Sequence, residues 1–457
     1  MTDPYLDPAG TPTEPPARSA LTETTRSLHD AIDAAIRRHG HPYLHPAGET
    51  LQLDMLGSGP LVAWQERKSK AIFLSAEPWS AMPQIYGRYG TEPARRLIAA
   101  VCELEAATGA VLTDGGMQAC ALLFDVAFAP GSHVVATRAI YNKGKAYLQR
   151  LVDRCGGAIT LTDDAAPATI EAALRADTTL IFTETYTNPL TRAADPQALG
   201  QLAEKVRAAG NKRVRLAIDN TVATPWGIRQ PLLDYPGVDV VIASGTKALA
   251  GQDRDMWGYI ASRRVDLLNE LMDLQAMRGG TLDWRRAGAV QEGLPEARER
   301  FEQRCQTATE LAAFLDGHPR VEEVFHPSLP GHADAAVIAA HYTRPGSLMS
   351  LRVRGCDEEG TRHFCDVLAS TGVPRYALSF DGLATKLNHH RSVSEYFTAA
   401  EEVGRIGVER LVRVGVGVEA AADLIACFNW ALWHFQDLTA DDVDAWQRER
   451  ARSLGLP

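Results

Sequence analysis

The chain has 457 residues, 45% of them apolar and 23% charged, and carries a formal net charge of −10. That length exceeds one ordinary domain and suggests two domains sharing a core, plus an arm. The acidic balance argues against nucleic acid or an anionic membrane as a main partner. No apolar run approaches the ~20 residues of a spanning helix and no apolar signal core opens the chain, so a cytoplasmic protein is expected. The seven cysteines, Cys102, Cys120, Cys155, Cys305, Cys356, Cys365 and Cys427, show no Cys-x-x-Cys pairing. They argue for reduced, buried thiols and against a zinc site or a disulfide framework.

In chain order, residues 1–20 are rich in Pro, Thr and Ala without periodicity and read as an arm. Ser27 to Gly40 places Leu28, Ile32 and Ile36 on one helical face and ends in glycine. The stretch Gln84-Ile-Tyr-Gly-Arg-Tyr-Gly-Thr-Glu-Pro93 offers an arginine fork suited to a phosphate dianion. A helix is expected from Glu92 to Thr108. After it, Ala110-Val-Leu-Thr-Asp-Gly-Gly-Met-Gln-Ala119 reads as a short strand, a glycine turn and a helix start, a turn of the kind that aims free N–H groups at an anion. His133 to Tyr141 is a strand that ends on an aromatic residue, and Thr179 to Pro189 is a buried strand with a polar end, Glu184 to Asn188.

Leu216-Ala-Ile-Asp219 delivers an acid at the carboxyl end of an apolar strand, and Val241-Ile-Ala-Ser-Gly-Thr-Lys247 delivers a lysine at the end of another. Singly, each has an ordinary reading, Asp219 as a turn or N-cap residue and Lys247 as a solvated loop residue. Together they meet two requirements of pyridoxal 5'-phosphate chemistry: an amine to hold the aldehyde, and an acid to keep the pyridine nitrogen protonated. Burial next to the hydroxyls of Ser244 and Thr246 would lower the lysine pKa toward that of a nucleophile. The strands near 134, 180, 216 and 241 alternate with helical stretches such as 194–209, which argues for a mostly parallel sheet with helices on both faces.

From about Tyr86 to about Leu432 the chain resembles the Cys/Met-metabolism (transsulfuration) branch of fold-type-I pyridoxal phosphate enzymes. That resemblance implies an α/β fold: a large domain with a mostly parallel seven-stranded sheet between helices, a smaller α+β C-terminal domain and an N-terminal arm. The expected divisions are residues 1–75, 76–300 and 301–457.

It also implies roles. Tyr86 and Arg88 match a Tyr-x-Arg segment that reaches the cofactor phosphate of the adjacent subunit. Gly116 and Met117 match the phosphate cup, with Ser244 and Thr246 joining from the lysine segment. Tyr141 matches the tyrosine that stacks on the pyridoxal ring, Asn188 the asparagine at its phenolic oxygen, and Glu184 a supporting residue. Leu411-Val-Arg-Val-Gly-Val-Gly-Val-Glu419 makes Arg413 the fork for the substrate α-carboxylate, with Ser379 as its companion contact. Lys247, Tyr141 and Asp219 would be the catalytic group. No metal is expected.

Departures from the family pattern bear on the substrate. Lys143 and Lys145 follow Tyr141 where small residues are usual, and are either solvated charges or recognise an anionic group on the substrate. Ala384 stands where a glutamate often contacts the distal amine of cystathionine-type substrates, which puts ordinary cystathionine chemistry in doubt. Phe380 is aromatic where β-lyases of the family tend to be aromatic. The expected activity is γ-elimination or γ-replacement on a small-molecule substrate, an amino acid with a γ-leaving group of homoserine ester, methionine or S-adenosylmethionine type, in specialised metabolism. The alternatives are a β- or γ-carbon–sulfur lyase releasing a 2-oxo acid and ammonia, and a catalytically silent cofactor-binding homologue. Service to a neighbour's phosphate by Tyr86 and Arg88 implies a homodimer or homotetramer with shared active sites.

Overall fold

The computed structural model describes residues Thr91–Ser453 apart from Gly251, together with Glu23, Ser27 and Gly455. Apart from Glu23 and Ser27, the arm, the amphipathic stretch at 27–40, the rest of the 1–75 division and the Tyr86–Arg88 segment lie outside the described residues.

Seven short strands form the first sheet: β1 (Gly109–Thr113), β2 (His133–Thr137), β3 (Ala158–Thr162), β4 (Thr178–Glu184), β5 (Arg215–Asp219), β6 (Val240–Ala243) and β7 (Gly258–Ser262). Their order is β1-β7-β6-β5-β4-β2-β3, with β2 to β6 parallel to one another and β7 antiparallel to both β6 and β1. The mostly parallel seven-stranded sheet expected from the resemblance is therefore present.

These strands read as continuous apolar runs because the sheet is covered on both faces. With side chains alternating at period two, Val135, Ile181, Leu216, Ile218 and Val241 enter one core. Their neighbours Val134, Ala136, Leu180, Phe182, Ala217 and Ile242 enter the other. Helices α1 (Glu92–Glu105) and α2 (Gly116–Ala127) lie on opposite faces, α1 supplying Leu97 and Val101 to the first core and α2 supplying Leu122, Leu123 and Phe124 to the second. A fully buried leucine or phenylalanine contributes about 1.5–3 kcal/mol through removal from water. The sheet is thus held from two sides, and its carboxyl edge is a rigid line.

Helix α3 (Asn142–Cys155) follows β2, and the long α4 (Trp284–Asp316) leaves the large sheet for the second one. Helical periodicity places the start of α4 near Glu296, yet it begins at Trp284, capped by the Asp283 carboxylate on the Arg285 N–H at 3.0 Å. Pro295 sits inside it, where its ring would ordinarily mark a boundary. Ala287 and Val290 of α4 pack in the first core while Ala308, Leu311 and Leu315 pack under the second sheet, so the division expected at residue 300 falls within one continuous helix.

The second sheet has five strands, β8 (Val321–Phe325), β9 (Leu348–Val353), β10 (Arg375–Tyr376), β11 (Lys386–His389) and β12 (Val412–Gly415), in the order β10-β11-β12-β9-β8. All its pairings but β10–β11 are antiparallel. Helices at Glu358–Ser370 and Ala421–His434 bury Phe364, Leu368, Leu424 and Phe428 against it. All seven cysteines are free, four of them buried. Among the described residues no helix is long and apolar enough to cross a membrane.

Candidate active site

In a sheet of parallel strands the loops at the carboxyl edge converge, and ligands bind there. That edge collects the polar ends of four strands: Tyr141 after β2, Glu184 and Asn188 after β4, Asp219 and Thr221 after β5, Ser244 and Lys247 after β6. Register fixes the spacing, with Glu184 directly opposite Asp219 across β4–β5. Together with Gly116 and Met117 at the start of α2, and Arg413 from β12, they line one cavity of about 370 Å³.

Lys247 places Nζ 2.6 Å from Ser379 Oγ and 4.8 Å from the centre of the Phe380 ring. Burial, reinforced by the positive charge of Arg413, lowers its pKa from 10.5 to about 8. A substantial neutral fraction therefore exists near neutral pH, and the neutral amine is the nucleophile and the base.

Asp219 accepts from the Thr221 N–H at 2.8 Å, and the Thr221 hydroxyl in turn accepts from the Ser244 N–H at 2.8 Å. Asp219 is half-buried by its surface and lines the cavity. Its pKa is raised by burial, which the Thr221 hydrogen bonds oppose. Glu184 is raised by burial and by repulsion from Asp219, although its oxygens accept from the N–H groups of Tyr141 at 2.7 Å and Asn188 at 3.4 Å. Two facing buried carboxylates cannot both ionise cheaply, so the pair holds a proton that a cationic or N–H-bearing ligand would help to share.

Three features test whether pyridoxal phosphate fits. The N-cap of α2 is Gly115, which has no side chain to satisfy the first-turn N–H groups, the usual opening for a phosphate. A Cβ at Gly116 would lie 2.5 Å from the Cβ of Ser244, so only glycine lets this turn close onto the lysine segment. Finally, Asn188 Oδ1 is buried and, among the described residues, has no hydrogen-bond partner, an amide end left unspent on the cavity wall. An anion cradle, an unspent amide, a buried acid and a depressed lysine surround one space, and the cofactor fits it.

Arg413 stands in the middle of β12, 3% exposed, donating through Nη2 to the Leu378 carbonyl at 2.7 Å. Burial lowers its pKa to about 10. Among the described residues it has no carboxylate partner, an expensive condition that a substrate carboxylate would relieve.

Two of the expected residues make contacts of their own beside the cavity. Thr246 does not line the cavity: its hydroxyl donates to the Trp257 carbonyl at 3.0 Å and accepts the Trp257 N–H at 2.9 Å, so it braces the lysine turn from behind. Ser379 does not line the cavity either, and its hydroxyl is the acceptor for Lys247. Tyr86 and Arg88 lie outside the described residues. Sequence reasoning did not single out Thr221, Cys120, Asn142, Val393, Ser394 and Tyr396 as lining residues. Thr221 was the most accessible of these, standing two residues after Asp219.

The parallel sheet thus supplies the buried acids and the lysine and the second sheet supplies the buried arginine, an arrangement that matches a fold-type-I pyridoxal phosphate enzyme. Sequence comparison agrees, since the profile of the Cys/Met metabolism PLP-dependent enzymes matches residues 68–433. The chain belongs to that family. It is 29% identical over 350 residues to L-methionine gamma-lyase of Porphyromonas gingivalis, covering 75% of this chain and 83% of that protein. It is 30% identical over 343 residues to O-succinylhomoserine sulfhydrylase of Pseudomonas aeruginosa, covering 75% and 82%. Among solved structures, cystathionine gamma synthase of Xanthomonas oryzae pv. oryzae in complex with cystathionine aligns with a TM-score of 0.72 at 27% identity, over 78% of this chain and 90% of that one. The cofactor is pyridoxal 5'-phosphate.

Proposed function

We propose that the protein catalyses γ-elimination or γ-replacement on an amino acid with a γ-leaving group. The observation that carries this reading is the placement of Lys247, a buried amine with a pKa near 8, in one cavity with the guanidinium of Arg413, which among the described residues has no carboxylate partner. Relatives named as methionine γ-lyase and O-succinylhomoserine sulfhydrylase support γ-chemistry.

In this reading Gly116, Met117 and Ser244 hold the cofactor phosphate, Asn188 meets its phenolic oxygen, Asp219 its ring nitrogen, and Tyr141 covers its face. Bound there, the cofactor supplies an electron sink for carbon acids. Arg413 clamps the substrate carboxylate and so orients the α C–H toward Lys247. Lys247, as the free amine, would take the α-proton as general base and could then move a proton at the β carbon so that the γ-substituent departs. Ser379 Oγ, 2.6 Å from Nζ, holds the amine in position between these transfers. Phe380 excludes water beside it.

A second reading, a β- or γ-carbon–sulfur lyase, is favoured by that same Phe380 ring 4.8 Å from Lys247 Nζ. Incubating the holoprotein with homoserine esters, methionine, cystathionine and S-adenosylmethionine separates the two. Formation of 2-oxobutanoate or a coupled γ-product is expected, and pyruvate as the sole product would overturn γ-chemistry. We further infer a cytosolic homodimer or homotetramer, on the scattered free thiols and on the expected service of Tyr86 and Arg88 to a neighbour's site. A monomer by light scattering would contradict the second half of that inference.

A further inference from the structure

The cavity has an outer rim, and its charge is not balanced. The carboxylates among its lining residues, Glu184 and Asp219, belong to the strand-end floor, while Lys143 extends to the mouth from the first turn of α3. Lys143 is exposed and, among the described residues, forms no ion pair. Its Nζ lies 5.7 Å from the centre of the Phe397 ring and 6.0 Å from that of Tyr396, and the two rings are 3.9 Å apart. Aromatic faces hold an ammonium in place without neutralising it. The rim segment is itself tied to α3, because the Asn142 side-chain amide donates to the Ser394 carbonyl. The one carboxylate in that segment is turned inward: Glu395 is 6% exposed and accepts from the Thr398 hydroxyl at 2.5 Å. Besides Lys247, whose partner is the Ser379 hydroxyl, the lining therefore holds two cations without carboxylate partners among the described residues, Arg413 buried and Lys143 at the mouth.

We propose that Lys143, steadied by Tyr396 and Phe397, is a specificity-determining residue that recognises an oxyanion on the far end of the substrate side chain. The preferred substrate is then an amino acid whose γ-substituent carries a second negative charge, as a carboxylate or a phosphate. This rests on the γ-substituent reading above, since Arg413 already accounts for the α-carboxylate. A sulfonium or other cationic substituent would meet an uncompensated like charge at the mouth.

The test begins with binding by the holoenzyme, which needs no turnover. Wild-type protein is titrated with 2-aminopimelate and with its ω-monoamide, which differ only in the distal charge. The acid should bind roughly fivefold more tightly, the size of one partly exposed charge pair, and the advantage should shrink with added salt. Lys143→Met should abolish the advantage and Lys143→Arg should keep it. No advantage in the wild type, or an advantage that survives Lys143→Met, overturns the proposal. Turnover of O-succinyl-, O-phospho- and O-acetylhomoserine then identifies the oxyanion: a preference for the first points to a carboxylate, a preference for the second to a phosphate, and a preference for the uncharged ester contradicts the subsite. If the binding advantage depends on Lys143 and no ester is turned over, the γ-reaction falls and the anion subsite stands.

Discussion

The floor of the cavity and its rim are held by different means. On the floor, Asp219, Lys247 and Asn188 follow directly from strands buried on both faces, so their positions are fixed by two hydrophobic cores and a hydrogen-bond relay through Thr221 and Ser244. At the rim, Lys143, Leu378, Tyr396 and Phe397 stand on a first helical turn and on loops, with Leu378 75% and Phe397 80% exposed. Rigid elements suit chemistry, which tolerates little displacement, whereas loops can change partners without disturbing the sheet. One departure from the family pattern, Lys143, lies at that rim among the cavity-lining residues.

Breaking the floor should cost far more than breaking the rim. Lys247→Ala should lower kcat/KM by at least about 10⁴-fold and remove the visible absorption of the holoprotein, because nucleophile and base are lost together. Arg413→Leu should lower kcat/KM by roughly 10²-fold, chiefly through KM, since a buried charge partner for the substrate disappears; intact visible absorption in that variant would separate substrate binding from cofactor binding. Gly116→Ala forces a methyl group to 2.5 Å from Ser244 Cβ. Overpacking of that kind costs about 2 kcal/mol, a roughly 30-fold loss of cofactor affinity by equilibrium titration.

The pH dependence sharpens the same contrast. The neutral amine is the reactive form, so capture of the cofactor by the apoprotein should quicken about tenfold per pH unit and level off above the Lys247 value of about 8. A rise continuing to 10.5, the value of a solvated lysine, would mean that the floor does not bury it. Phe397→Ala should change the melting temperature and cofactor affinity by less than about twofold in the corresponding constants, because so exposed a ring contributes little to the core. A large loss there would show that the rim is structural.

Much of the floor was legible in the sequence because each of its residues stands at the end of a contiguous apolar run, and contiguous runs announce strands. Thr246 shows the limit of that legibility: adjacency to Lys247 places its backbone but not the direction of its hydroxyl, which Trp257, just before the next strand, decides. The start of α4 was hidden because Pro295 reads as a breaker, while the Asp283 cap and the packing of Ala287 and Val290 carry the helix through it. Glu105 reads as one more polar residue near a helix end. It is fully buried, bonded to Tyr259 at 2.6 Å and Asn220 at 3.3 Å, and burial raises its pKa to about 7. The rim was least legible, since Tyr396 meets Lys143 across more than two hundred residues and no local pattern records that meeting.

The most direct measurement is to load the protein with pyridoxal 5'-phosphate, reduce it with borohydride and locate the fixed pyridoxyl group by peptide mass spectrometry. The account requires a single modified residue, Lys247, and no such modification in Lys247→Ala. Labelling spread over surface lysines, or its absence from the peptide containing Lys247, would contradict it.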